Sequence, residues 1–366
     1  MVRLNEGEII RGTYEVEKFL GEGAFAEVYR VKHRFLGRQA MKLFKTKVNS
    51  VEEVERFLEE ALLLSRIGHP NIIRVFDANT HERTDGIFGF FTMEYIAGGS
   101  IDQFWRSYGN KLVPLETVVE IIKQVCRGLA VAHGEEPPII HRDIKPQNVL
   151  VGYDGAGIRA KISDFGLAKK VNPLSRLASA RGTIAFKAPE TIKDFYADSC
   201  AGDVWALGTM FYLLLTDRLP YPEFMESEKI DLKYFKKPPP EPSRYNARID
   251  YRLNEVVMKM LEFNQKDRYQ DASEVLNDLS HWRLDTKQPK KKKISNHEST
   301  KDVLGVYSPV SQENAKKIAM EALKLARESG KLNEAADLME EAINLSPSLR
   351  DKYQYQLQLW RRGISM

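Results

Sequence analysis

Two short stretches in the middle of the chain hold carboxylates and an amide at a spacing suited to phosphate chemistry. The first is His141–Asn148 and the second begins at Asp164. Asp143 can accept a proton from a hydroxyl group, while Asn148 and Asp164 offer the oxygen ligands that Mg²⁺ prefers. Phosphoryl transfer needs charge neutralisation, in-line alignment and a proton acceptor more than it needs covalent catalysis. The two stretches therefore predict a phosphoryl-transfer site, in which Lys145 neutralises the γ-phosphate.

A glycine-rich turn near the N-terminus could approach phosphate oxygens. Gly21 and Gly23 are followed by a β-branched and aromatic run that begins near Val28. The turn is therefore predicted to join two strands, whereas a dinucleotide fold would need a helix directly after the glycines. Glycines let backbone N–H groups approach a phosphate without an intervening side chain. An ordinary hairpin turn has the same composition, so this motif alone is not specific.

Lys42 ends a predicted strand, and Glu60 lies on the helix predicted after it. The apolar spacing predicts that helix over Val51 to Ile67, with Ser50 as its cap. A Lys42–Glu60 ion pair would fix a cation on the α- and β-phosphates of a nucleotide. The alternative for a single lysine is an ordinary surface position.

The elements that position these residues change in character along the chain. From Tyr14 to Ile96 the sequence is mostly rich in β-formers and turns, and beyond Gly99 it is mostly helical. A β-rich part before an α-rich part predicts an α+β protein of two lobes with a cleft between them, at about residues 1–97 and 98–283. The helices predicted in the second part are Leu115–His133, Ala201–Leu215, Leu253–Phe263 and Ala272–Trp282.

These motifs, followed in order by Ala188-Pro189-Glu190, resemble the eukaryotic-type (Hanks-type) protein kinase family. The resemblance covers roughly Tyr14 to Trp282. It implies the bilobal protein kinase fold, with ATP and Mg²⁺ as cofactors, or Mn²⁺ in place of Mg²⁺. The catalytic residues that it implies are Asp143, Lys145, Lys42, Glu60, Asn148 and Asp164, of which Asn148 and Asp164 hold the metal. The implied nucleotide-binding residues are Gly21, Gly23, Val28, Ala40, Lys42, Met93, Glu94, Ile96 and Leu150.

The family pattern also implies the acceptor and two structural contacts. Lys145 within the catalytic stretch and Thr183 before the Ala-Pro-Glu triplet resemble the Ser/Thr branch, so protein substrates bearing serine or threonine hydroxyls are expected. By the same resemblance, Asp203 anchors the catalytic loop and Arg268 is the buried partner of Glu190.

Control through phosphorylation is a further expectation. Three cations, Arg142, Lys169 and Arg56, match the phosphate pocket of the family, and Ser179 stands at the matching phosphosite, with Ser175 as the second candidate. A phosphate group there would bind the three cations and order the segment. The alternative is that Arg142 only tethers the loop and that neither serine is modified.

The last part of the chain has a different composition. Residues 284–311, which include Lys290 to Lys293, are predicted to be a basic, polar linker, with nucleic-acid contact or nuclear import as the alternative. Residues 312–366 are predicted to be a separate helical element, in which Lys316 to Leu349 resembles one tetratricopeptide repeat that turns at Gly330 and a further helix covers Leu349 to Arg361. One such repeat cannot bury both of its faces. We therefore expect it to dock on the kinase domain, on a second copy of the chain or on a partner protein, with an inert appendage as the alternative.

The whole chain excludes several other classes of protein. Its 366 residues carry a formal net charge of only +4 and two cysteines, so neither nucleic acid, membrane nor a disulfide framework is expected. The longest apolar run, Val204 to Leu215, is too short to span a bilayer, and a cytoplasmic protein is predicted. A pseudokinase would lack Lys42, Asp143 or Asp164, and a small-molecule phosphotransferase would lack the long segment that ends in the Ala-Pro-Glu triplet.

Overall fold

The computed structural model describes residues 3–23, 26–84, 86–165, 184–194, 196–222, 232–283 and 312–364. The chain divides into two compact units. The small unit comprises Met1–Ile96 and Ser163–Val171, and the large unit comprises Ala97–Ile162 and Asn172–Met366. The division falls one residue from the predicted lobe boundary, and the C-terminal helices belong to the large unit.

The small unit is built on one antiparallel sheet with the strand order β1–β2–β3–β4–β6–β5. Its strands are β1 (Ile9–Ile10), β2 (Tyr14–Glu22), β3 (Ala26–His33), β4 (Gly37–Lys47), β5 (Val75–Arg83) and β6 (Gly86–Glu94). Helix α1 (Val51–Ile67) follows β4 with the predicted bounds. The Ser50 side chain accepts a hydrogen bond from the Glu53 N–H, and Gly68, at φ +71°, ends the helix in the left-handed conformation that glycine adopts easily.

Strand alternation separates the core of the small unit from its functional face. One face carries a buried cluster of Leu4, Ile10, Tyr14, Val16, Tyr29, Val31, Met41, Leu43, Phe88 and Phe90. Successive residues of a strand point to opposite faces, and directly paired residues share a face. Since Lys42 pairs with Val28 and Ala40 pairs with Met93, these four side chains lie on the face opposite Met41.

The large unit is mostly helical. Among the described residues, its α-helices and strands begin with α2 (Ile101–Arg106), α3 (Leu115–His133), the hairpin of β7 (Val149–Asp154) and β8 (Gly157–Ile162), α4 (Pro189–Lys193), α5 (Cys200–Thr216) and α6 (Tyr251–Met260). They are followed by α7 (Ala272–Ser280), α8 (Gln312–Leu325), α9 (Leu332–Leu345) and α10 (Pro347–Arg361). Helix α6 begins two residues earlier than predicted because Asp250 caps it, by accepting a hydrogen bond from the Leu253 N–H.

Helix α5 is buried along nearly its whole length, which explains its continuous apolar sequence. It is therefore a core helix. Of the helices in the described part of the chain, none combines the length and the apolar character needed to cross a bilayer.

Helices α8, α9 and α10, the C-terminal helices, share a buried cluster with the β7–β8 hairpin. The cluster consists of Tyr153, Ala315, Ala319, Ala322, Ala335, Ala336, Met339, Ala342, Ile343, Leu349, Leu357 and Trp360. Gly330 lies in the turn between α8 and α9 with φ +77°, as the sequence predicts. The presence of Tyr153 in the cluster means that the C-terminal helices bury apolar surface against the β7–β8 hairpin of the same unit.

Candidate active site

The loop that carries Asp143 is fixed by one buried carboxylate. Asp203, on α5, is only 2% exposed. It accepts hydrogen bonds from the His141 N–H at 2.7 Å and the Arg142 N–H at 2.8 Å, and His133 Nε2 lies 3.1 Å away. These contacts hold Arg142 at φ +69°, a backbone conformation that residues other than glycine rarely adopt. The predicted anchoring role of Asp203 agrees with this geometry.

Burial alone would raise the pKa of Asp203, but its hydrogen bonds and the neighbouring histidines outweigh burial and lower the pKa below its ordinary value of 3.8. Asp203 is therefore ionised at neutral pH. A charged acceptor makes stronger hydrogen bonds than a neutral one, and this strengthens the tether on the loop.

Asp143 is surrounded by groups that keep it ionised and oriented. Lys145 Nζ lies 2.8 Å from Asp143 Oδ2, and the Asn148 side chain donates to the same oxygen at 2.9 Å and to the Asp143 carbonyl at 2.8 Å. Burial would raise the pKa of Asp143, but Lys145 and Lys187 outweigh it and lower the pKa. The carboxylate is therefore in its proton-accepting form at neutral pH.

Lys187 is a functional candidate that the sequence analysis misses. Its Nζ lies 3.7 Å from Asp143 Oδ1 and donates a hydrogen bond to the Arg142 carbonyl. It stands directly before the Ala188-Pro189-Glu190 triplet, so a cation at that position was the available signal. Lys187 therefore holds the backbone of the catalytic loop and stabilises the negative charge of Asp143.

In the small unit, Lys42 pairs with Asp164. The Lys42 Nζ atom lies 2.5 Å from Asp164 Oδ1, and both side chains are 16% exposed. Asp164 has φ +68°, so this residue also has an uncommon backbone conformation. Glu60 lies on α1 as predicted, but its side chain is outside the described residues, and the Lys42–Glu60 ion pair stays a prediction.

The predicted nucleotide-binding residues of the small unit lie on or beside its sheet. Gly21 of β2 pairs with Val28 of β3, and beyond the last pair the Gly23 N–H donates to the Ala26 carbonyl at 2.8 Å. The glycine turn therefore joins two strands, as the sequence predicts. Val28, Ala40 and Met93 share the face of Lys42 described above.

The other predicted nucleotide-binding residues follow β6 or lie in the large unit. The Glu94 N–H donates to the Arg74 carbonyl at 2.9 Å, and Ile96 is the last residue of the small unit before Ala97. Leu150, in β7 of the large unit, forms a bridge with Ser100.

The two predicted metal ligands have suitable chemistry. Asp164 offers carboxylate oxygens, and Asn148 offers an amide oxygen, since its nitrogen donates to Asp143. Hard oxygen atoms of this kind are what Mg²⁺ binds in nucleotide sites, together with phosphate oxygens and water. The donor set therefore fits Mg²⁺, and it fits Mn²⁺ equally.

The predicted phosphate pocket is described only in part. Arg142 Nε lies 3.1 Å from Asp198 Oδ2, and its guanidinium also donates to the Ile140 carbonyl at 2.7 Å. Arg56 is exposed on α1. Lys169, Ser175, Ser179 and Thr183 lie outside the described residues. Of the expected cations, Arg142 thus already has a carboxylate partner.

Arg268 forms the predicted contact with Glu190. Its Nη1 and Nη2 atoms lie 2.7 and 3.2 Å from the two carboxylate oxygens of Glu190. Nη1 also donates to the Ala201 carbonyl at 2.8 Å. This bidentate contact ties the Ala-Pro-Glu triplet to the core of the large unit.

Comparison with known proteins places this site in a family. Residues 14–280 match the family model described as the protein kinase domain. The chain therefore belongs to the protein kinase family, and the predicted kinase fold, with a β-rich N-terminal lobe and a helical C-terminal lobe, is confirmed.

Several curated relatives have the name serine/threonine-protein kinase. A probable serine/threonine-protein kinase of Clostridium perfringens is 31% identical over 283 residues, which cover 76% of this chain and 39% of the relative. Serine/threonine-protein kinase PrkC of Bacillus subtilis is 29% identical over 277 residues, which cover 75% of this chain and 41% of the relative. The chain thus spans about 40% of the length of these relatives. The predicted membership of the eukaryotic-type Ser/Thr kinase family is confirmed.

A solved structure supports the same fold. The kinase domain of Mycobacterium tuberculosis PknI aligns with a TM-score of 0.55 and 24% identity, over 76% of this chain and 98% of that domain. At this identity the likeness concerns the fold alone. The tetratricopeptide character of the C-terminal helices stays a prediction.

Proposed function

We propose that this chain is a Ser/Thr protein kinase that transfers the γ-phosphoryl group of Mg²⁺-ATP to serine or threonine hydroxyls of protein substrates. The observation that carries the proposal is the state of Asp143. It is a half-buried carboxylate kept ionised by Lys145 and Lys187, oriented by Asn148 and held in a loop tethered to Asp203. A proton acceptor of fixed orientation is what transfer to a hydroxyl requires.

Each predicted catalytic residue has a role in this proposal. Asp143 accepts the proton of the substrate hydroxyl, and Lys145 neutralises charge on the γ-phosphate. Lys42 holds the α- and β-phosphates, and Glu60 positions Lys42. Asn148 and Asp164 would hold Mg²⁺, which when bound neutralises phosphate charge.

The organisation of the chain is part of the proposal. Residues 1–283 form the kinase domain, 284–311 the linker and 312–366 the tetratricopeptide-like element. The linker lies outside the described residues. We propose that the protein is cytoplasmic and that its partners are its protein substrates, not nucleic acid or a membrane. Residues 312–366 either have a role within the chain itself or mediate self-association or docking of a partner.

Regulation by autophosphorylation is also proposed. Phosphate on Ser179, or on Ser175, would bring nearly two negative charges to Arg142, Lys169 and Arg56. Because Arg142 already pairs with Asp198, the phosphate would have to share or displace that carboxylate. Mass spectrometry of the active protein checks this, and both serines bare in fully active protein would contradict it.

The activity itself is tested with γ-labelled ATP, Mg²⁺ and generic protein substrates, followed by phosphoamino-acid analysis. We expect label in phosphoserine or phosphothreonine from the wild-type protein. Lys42→Met is expected to abolish labelling without unfolding the protein, because it removes the cation assigned to the phosphates. Label only in phosphotyrosine, or wild-type labelling by Lys42→Met, would contradict the proposal.

A further inference from the structure

The C-terminal helices contact the backbone of the large unit close to Leu150, its predicted nucleotide-binding residue. The Asn344 side chain, on α9, donates a hydrogen bond to the Gly98 carbonyl. A Cβ atom added to Gly98 would collide with the Val151 carbonyl and lie 2.6 Å from Glu340 Oε1. Gly98 is therefore enclosed between β7 and α9, and the close approach needs a residue without a side chain.

The segment that follows Gly98 is in turn bonded to β7. The Val151 N–H donates to the Gly99 carbonyl at 2.8 Å, and Ser100 forms a bridge with Leu150. Strand β7 begins directly after Asn148, whose side chain binds Asp143. A continuous set of contacts therefore runs from α9 through Gly98 and β7 to the catalytic loop.

Arg350 provides a second attachment, on α10. Its guanidinium lies 4.8 Å from the ring centre of Phe104 and 4.4 Å from that of Tyr108, and it donates to Ser107 Oγ at 2.8 Å. Arg350 is only 5% exposed. Burying a cation is costly unless specific contacts compensate, so these contacts favour one docked position over a loose apolar association.

The turn of the β7–β8 hairpin is a third attachment. Arg362 Nε donates to the Gly155 carbonyl at 2.7 Å, and Tyr153 lies in the buried cluster of the C-terminal helices. Strand β7 is thus held at its far end by α10, while its first residues adjoin Asn148. An inert appendage would need only the apolar cluster, whereas these polar contacts fix the backbone on both sides of Leu150.

We propose that the C-terminal helices are a positioning part of the kinase, in which Asn344 and Arg350 act through residues 98–108 and β7. Their contacts hold Leu150 and Asn148 in the arrangement that binds Mg²⁺-ATP. The inference rests on the proposed kinase function. It assigns the C-terminal helices a role in nucleotide binding by their own chain.

The test uses the full chain with Asn344→Asp and Arg350→Met. Asn344→Asp keeps the size of the side chain but places an acceptor against the Gly98 carbonyl. We expect the KM for ATP and the dissociation constant for Mg²⁺-ATP to rise about three- to tenfold, with a smaller change in kcat and an unchanged KM for the protein substrate. Arg350→Met is expected to act in the same direction while keeping the apolar stem.

Tyr355→Ala is the matched control, because Tyr355 is on α10 and is 70% exposed. If Asn344→Asp does not fold, Asn344→Ala, which removes the donor without adding an acceptor, replaces it. Variants that keep the control's ATP affinity, or that lower only kcat or thermal stability, would overturn the inference. A wild-type protein that binds Mg²⁺-ATP but transfers no phosphate would instead refute the proposed function. The dissociation constants of the variants for Mg²⁺-ATP, relative to that of the wild-type protein, would still decide the inference.

Discussion

Two buried carboxylates of the large unit differ in how their charge is held. Asp203, beside the catalytic loop, is 2% exposed and receives three contacts from His133 and the backbone of His141 and Arg142. Glu340, among the C-terminal helices, is 1% exposed and forms its ion pair with Arg361. Burial, with a smaller contribution from the nearby Asp337, raises the pKa of Glu340 to about 7, although Arg361 opposes the shift.

The difference shows what each region requires. The donors around Asp203 belong to rigid backbone and a buried ring, so the charge holds the catalytic loop in one conformation. The charge of Glu340 is favoured mainly by one long side chain, that of Arg361, and its pKa of about 7 places its protonation near neutral pH. We therefore expect docking of the C-terminal helices to respond to protonation near neutral pH, where Asp203 stays ionised and the catalytic loop keeps its anchor.

Removing the first carboxylate is expected to have the largest effect. Asp203→Ala leaves the N–H groups of His141 and Arg142 buried without their acceptor, so the free energy of unfolding should fall by about 3–5 kcal/mol. Denaturant unfolding of the full chain measures this. Glu255→Ala, which removes an exposed carboxylate from α6, is the control, and equal losses in the two variants would refute the anchoring role of Asp203.

Removing the partner of the second carboxylate is expected to cost less. In Arg361→Met, Glu340 can take up a proton and avoid a bare buried charge, so we expect a loss of about 1–3 kcal/mol in unfolding free energy. The double variant Glu340→Met/Arg361→Met should recover most of that loss, because a buried ion pair can be replaced by apolar groups. A double variant less stable than Arg361→Met would contradict this account.

The smallest effect is expected from Glu340→Gln, which should stay within about 1 kcal/mol of the wild-type protein at pH 7. This variant is informative because it changes how the unfolding free energy depends on pH. The folded protein keeps the Glu340 proton up to about pH 7, whereas an unfolded glutamate releases it near 4.5. The Glu340 contribution to stability should therefore fall as the pH rises between these values, and Glu340→Gln should lack that part of the slope.

Asp203 should show the opposite sign. Its pKa is lowered below 3.8, so its contribution is present above that pH and is lost as the pH falls through the folded pKa. Unfolding curves of the wild-type protein and Glu340→Gln, measured from about pH 3 to 8, separate the contribution of Glu340 from that of Asp203. Carboxyl groups of this kind titrate over about that range. Identical pH profiles for the two proteins would contradict the raised pKa of Glu340.

The sequence predicted the catalytic side of this comparison well, because its signals are local. The stretch from His141 to Asn148 carries its spacing in eight consecutive residues, and α1 has both its apolar stripe and its Ser50 cap in one segment. Even the Asp203 and Arg268 contacts were accessible, since the family pattern assigns both residues.

The other side could not be predicted in the same detail, because its contacts join distant parts of the chain. The helices around Gly330 were predicted from periodicity, but Arg350 and Ser107 are 243 positions apart and nothing local indicates that they meet. In the sequence Glu340 is an ordinary helical glutamate, and Lys187 is marked only by its position before the Ala-Pro-Glu triplet. Only the packed structure shows that the first is buried and that the second lies beside Asp143.

The most direct test of the central claim is the rate of γ-phosphoryl transfer from Mg²⁺-ATP by the wild-type protein and by Asp143→Asn. The substitution keeps the shape of the side chain and removes its ability to accept a proton. We predict that the rate falls about 10²–10⁴-fold while the affinity for Mg²⁺-ATP and the unfolding midpoint are nearly unchanged. Equal transfer rates for the two proteins would contradict the assignment of Asp143 as the base.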